Sequence, residues 1–175
     1  MHALLTLWSA FFDLCRLRIT PQELPDSKFL LKFTLVFYTL ISGAISLIHS
    51  SLPEALLSSL LDTALLVLLI SSLLYFAHYS ARINQTLTAL AGANCVLGIL
   101  LFLPVYWLKF YQSDAGEAGG LAILLLLGLM VWNFVISAHI LRHALEVPFF
   151  IGVLLTCIIS LLTFSVLSQV VPFSN

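Results

Sequence analysis

Five apolar runs, each of membrane-spanning length, fill nearly all of the chain after residue 29 and leave no room for a soluble domain. They cover 29–48, 55–77, 86–108, 121–141 and 147–171. A helix needs about 20 apolar residues to cross ~30 Å of hydrocarbon, so every run is long enough. The chain is 61% hydrophobic and only 9% charged. Soluble domains carry about 25% charged residues, so lipid is the solvent for most of this surface. The prediction is an all-α membrane protein: an N-terminal amphipathic interfacial helix with its linker (1–27), then one five-helix transmembrane domain (28–175).

Several function classes drop out. The net charge is -1 and no basic run could track a phosphate backbone, so no nucleic-acid partner is expected. Cys15, Cys95 and Cys157 are far apart, with no CxxC pair, so neither a disulfide framework nor a structural zinc site is implied. Residues 1–12 contain no Lys or Arg, which argues against a cleavable signal. No nucleophile elbow, P-loop, dinucleotide fingerprint or paired-carboxylate site is present, so the reading is non-catalytic, without cofactor.

His2, Thr6, Ser9, Asp13 and Arg16 recur at spacings of 4, 3, 4 and 3, giving one polar stripe, while Leu4, Leu7, Trp8, Phe11 and Leu14 cover the other side. Such a helix lies in the membrane interface, with Arg16 and Arg18 near anionic lipid, or tucks its apolar face against the bundle. Pro21 and Pro25 stop it and keep the linker extended. Asp26 or Ser27 caps the first span.

With the N-terminus in the cytoplasm, Arg16, Arg18, Lys28, Lys32, Arg82 and Arg142 fall inside and only Lys109 outside. That bias predicts N-in, C-out. Tyr106, Trp107 and Tyr111 then form an aromatic belt outside, and Tyr75 and Tyr79 one inside. Pro104 should kink or end the outer part of span three unless neighbours satisfy the freed carbonyl. Small residues mark helix contacts: Ser42, Gly43 and Ser46, then Ala89, Gly92 and Ala93, then Gly152, Thr156 and Ser160.

Function is sought among polar residues inside the spans. Asp62 is expected to touch outer headgroup water, with span two starting a turn later; the alternative is a proton or cation site. Asn94 and Asn133 fall at one depth in spans three and four, which suits an amide pair bridging two helices. His78 and Arg82 end span two, while His139, Arg142, His143 and Glu146 end span four. His139 and His143, four apart, have the spacing of a two-His metal half-site that His78 and Glu146 could complete. The segment is not HExxH, and no metal site is expected. Headgroup binding by Arg82, Arg142 and the histidines, or plain interfacial anchoring, is the preferred role.

The stretches Trp8-Ser9-Ala10-Phe11-Phe12-Asp13-Leu14-Cys15, Pro21-Gln22-Glu23-Leu24-Pro25 and 132–145 (WNFVISAHILRHAL) resemble small inner-membrane proteins of proteobacteria with Yip-like domains. The plan of a cytoplasmic N-terminal segment, five close helices and an outward C-terminus is similar to that family. The resemblance implies fold and location. The eukaryotic Asp-Leu-Tyr-Gly-Pro and Gly-Tyr motifs are absent, so no Rab partner carries over.

The expected function is a membrane scaffold or partner- and lipid-interacting subunit, associating with other membrane proteins or itself. The alternative is a small transporter or channel subunit, in which Asp62, Asn94 and Asn133 share a wet cavity. A membrane metalloprotein ranks last.

Overall fold

Ser27 opens the first long helix by accepting a hydrogen bond at Oγ from the Leu30 amide, 3.4 Å away. A side-chain oxygen at this position satisfies one of the orphan N–H groups of a helix start. The computed structural model describes residues 2–110 and 117–170, and side chains within 8–110 and 120–170. Its regular elements are helices: α1 (His2–Cys15), α2 (Lys28–Ser46), α3 (Leu52–Phe76), α4 (Ile83–Phe110), α5 (Glu117–Leu145) and α6 (Phe149–Val170), with short 3-10 turns at Pro21–Glu23 and Ser80–Arg82. Five of them, α2 to α6, are long and apolar enough to cross a membrane. The side chains of His2, Leu4, Thr6 and Leu7 lie outside the described residues, as do Tyr111 and Val171.

The helix starts and stops follow local chemistry. Ser51 and Glu54 form a capping box at the start of α3, where the Glu54 carboxylate accepts from the Ser51 amide at 3.0 Å and Pro53 sits in the first turn. This begins α3 three residues before the apolar run. On one face of the bundle, three chain reversals use a left-handed residue that is not glycine: Leu17 (φ 59°), His78 (φ 64°) and Glu146 (φ 56°). In each, the next amide reaches back five residues, Arg18 to Asp13, Tyr79 to Leu74 and Val147 to Arg142, at 2.8–3.0 Å. This is the hydrogen bond that ends a helix in a Schellman motif.

The helix α4 is the axis of the domain. Every residue from 86 to 93 is buried, as no other span is. Helices α2 and α5 flank it, α3 packs on α2, α6 packs on α5, and α3 also reaches α4 and α6. The outer surface is apolar, with Phe29, Phe76 and Phe150 each at least 75% exposed. In water such a surface would aggregate; facing lipid it carries no cost. Pro104 does not end its span. It is buried within α4, which continues to Phe110, and the rings of Phe102, Tyr106 and Phe110 stack in succession from before it to after it.

The helix α1 takes the packed arrangement of the two its periodicity allows. Phe11 and Leu14 are buried, and Phe11 lies against Gly92, where any Cβ would collide with its ring. The Cys15 thiol points to the Ala93 carbonyl at 3.9 Å, and the Trp132 indole N–H donates to the Cys15 carbonyl at 3.1 Å. Burial pushes the Cys15 thiol up to about 11.

The linker is not extended, as the two prolines suggested. Pro21 is buried and starts a 3-10 turn that Thr20 and Glu23 cap reciprocally. Gln22 donates to the His143 carbonyl at 2.6 Å. Gln85 donates to the carbonyls of Gln22 and Leu24 at 3.3 and 2.9 Å, and Asn84 donates to Asp26 at 3.0 Å. The prolines stop α1, but the side-chain amides of Asn84 and Gln85 on α4, and a backbone carbonyl at the α5 terminus that accepts from Gln22, then hold the segment down.

Candidate functional site: a polar cavity among the spans

The seam between α2 and α3 is a ladder of hydroxyl contacts. Thr39 pairs with Thr63 at 2.8 Å and Ser46 with Ser58 at 2.9 Å. Between these rungs lies Asp62. Its Oδ2 accepts from the Tyr38 hydroxyl at 2.5 Å and from the Ser42 hydroxyl at 3.3 Å. Asp62 is ten residues from the start of α3 and fourteen from its end. At 1.5 Å per residue that is about 15 Å from one end and about 21 Å from the other. Asp62 therefore lies in the body of α3, with the capping box starting the helix ten residues before it. From α2 come the two hydroxyls that make a part-buried carboxylate tolerable there.

Across the bundle, Asn133 of α5 donates through Nδ2 to Asn94 Oδ1 of α4 at 2.8 Å. The depth match in the sequence thus corresponds to a direct contact. Asp62 and both asparagines line one cavity of about 440 Å³ to which all five helices α2 to α6 contribute. Ligand sites are typically ~300–1,000 Å³. Ser137, Thr156, Ser160 and Thr163 add hydroxyls to walls that are otherwise apolar.

The histidine cluster has a different use. His139 and His143 are in ring contact at 4.6 Å, and His139 Nε2 lies 3.4 Å from the Ile19 carbonyl of the linker. His78 is the left-handed residue that ends α3. Among the described residues no three or more His, Cys, Asp or Glu side chains converge. Arg82, expected as a headgroup contact, is bound within the chain. It pairs with Glu146 at 2.5 Å, donates to the Ala144 carbonyl at 3.2 Å, and lies over the Tyr79 ring. The hydrogen bond from Arg82, aided by its charge, holds the Glu146 carboxyl below its ordinary value. Arg16 and Arg18 are exposed, and Arg142 is half-buried.

Sequence reasoning missed the donors Tyr38 and Ser42. Their signal was present: α2 carries polar residues at 38, 39, 42 and 46, and α3 at 58, 59, 62 and 63. Each set falls on one helix face, and antiparallel packing matches them.

The fold and this cavity define the class: a multi-pass, helical membrane protein with a largely apolar pocket among its long helices that carries one carboxylate and two amides. No family model, curated protein or solved structure matches the chain, so the reading of its function rests on its own residues.

Proposed function

We propose that the chain is a small transporter or channel subunit of the inner membrane, N-in and C-out, whose cavity binds a solute within the spans. The observation that carries this reading is that Asp62, Asn94 and Asn133 line the same cavity. An intramembrane carboxylate on a helix flank facing such a space is a functional feature by default. The surfaces a scaffold would use support the choice from the other side. Phe11 occupies Gly92, and the Ala138 carbonyl lies against Gly152, so these small-residue faces serve contacts inside the chain.

In this reading the face with Lys28, Arg82 and Arg142 is cytoplasmic, and exposed Arg16 and Arg18 meet anionic headgroups beside the docked α1. The Yip-like resemblance is part of the proposal as architecture only. It adds no partner.

Thiol labelling in native membranes tests the cavity. A methanethiosulfonate reacts with the thiolate, which needs water. In a background lacking Cys15, Cys95 and Cys157, Ser137→Cys should label at least about tenfold faster than Leu161→Cys on the lipid-facing side of α6. Equal, negligible labelling at both positions overturns the wet cavity and returns the scaffold reading to first place.

A further inference from the structure

This inference rests on the solute-cavity reading and concerns the chemistry of the occupant. Among the described residues lining the cavity, Asp62 alone carries a formal charge. No Lys, Arg, His or Glu of α2 to α6 lines the space opposite it, and Tyr38 is the other titratable group there. Both hydroxyl donors converge on Oδ2, and no described residue donates to Oδ1. Asp62 therefore lines the cavity with one carboxylate oxygen, Oδ1, that takes no hydrogen bond from a described residue. Around it the walls are mainly aliphatic, with the rings of Tyr38, Phe134 and Phe164 among them.

We infer that the cavity takes a monovalent organic cation: an ammonium on a compact apolar body, with Asp62 Oδ1 as counter-charge. Three occupants fit worse. An anion meets the carboxylate and no compensating cation. A calcium or magnesium ion needs about six or more oxygen ligands, and no second carboxylate lines the space. A neutral apolar solute would displace water from the carboxylate without replacing its hydrogen bonds, which is costly in low dielectric. An organic ammonium satisfies the charge through N–H donation or contact at Oδ1. It also gains from aromatic faces, which attract cations, and buries its carbon skeleton against the aliphatic walls.

The test uses the full chain in lipid nanodiscs and two tritiated probes of one shape: benzyltrimethylammonium and its neutral carbon isostere, neopentylbenzene. The cation should bind at least about tenfold more tightly than the isostere, the ratio expected of one charge-assisted contact. Asp62→Asn should remove that advantage and leave isostere binding unchanged. If the isostere binds as well as the cation, and Asp62→Asn alters neither, the cation inference is overturned while the solute cavity stands. If neither probe binds but Ser137→Cys still labels, the cation inference again falls alone. If neither binds and Ser137→Cys is unlabelled, both proposals fall. Should Asp62→Asn fail to fold, the wild-type comparison of the two probes decides by itself.

Discussion

Replacing Gly152 with Ala should open the hairpin of α5 and α6. A Cβ at this position would lie 2.6 Å from the Ala138 carbonyl oxygen and 3.3 Å from the Arg142 Cβ. Carbon and oxygen normally approach no closer than about 3.3 Å, so the helices must separate by roughly 0.7 Å. The obstacle is backbone, and no rotamer change relieves it. A radial gap of about 0.5–1 Å forfeits a quarter to a half of each van der Waals well along the contact. Together with the strain of insertion this predicts a loss of about 1–3 kcal/mol. Gly128 of the same hairpin has nothing within 4 Å of its would-be Cβ. There Ala only relieves the helix-interior cost of glycine, so Gly128→Ala should gain about 0.5–1 kcal/mol. Reversible unfolding in mixed micelles with increasing dodecyl sulfate measures both. The reasoning is refuted if Gly152→Ala proves as stable as Gly128→Ala, because the two differ only in what the new methyl group meets.

Asn94→Leu and Asn133→Leu should be non-additive, with a coupling of about 0.6–1.7 kcal/mol in a double-mutant cycle; zero coupling would show that the amides act separately. Glu146 titrates below its ordinary value, so its contribution is present above the usual carboxylate range and is lost as pH falls through the depressed folded value. Thermal melts of Glu146→Gln should therefore lose part of the acid-side slope of the wild type, and an unchanged slope rules out the Arg82 pairing as its source. Cys15, with its thiol pushed up to about 11, should resist iodoacetamide at mildly alkaline pH and react once the chain is denatured. Rapid alkylation of the folded protein would mean that α1 is not docked.

Hydropathy located the five spans within a few residues because burial in lipid demands nearly uniform apolarity over ~20 positions. The Asn94–Asn133 contact was also legible, since antiparallel helices with short connections keep residues of equal depth at one level. The place of Asp62 along α3 was less legible for a related reason. A hydropathy window tolerates one charge and slides by a turn, so it does not fix the helix start; the Ser51–Glu54 capping box does. Its partners Tyr38 and Ser42 depend on the register of α2 against α3, and serine and threonine are too common in spans for their spacing alone to stand out. The docked linker was illegible because Gln22 and Gln85 meet only after α4 and α5 have assembled. The Arg82–Glu146 pair was hidden in the same way: the sequence placed both residues on one face but not in contact.

The docking of α1 also sets an order of events during synthesis. Phe11 waits for Gly92, and the Cys15 carbonyl waits for Trp132, 117 residues later in the chain. At ~5–20 residues per second the ribosome needs roughly 6–23 s to supply that partner. For this interval the first helix has emerged while its seat has not. Its apolar side must be covered meanwhile, and the nearest apolar phase is the bilayer surface, where an amphipathic helix adsorbs reversibly. In the proposed membrane reading, adsorption and docking on the bundle are successive stations of one segment. The nascent chain would stay tethered beside the insertion site until the fourth spanning helix arrives to receive it.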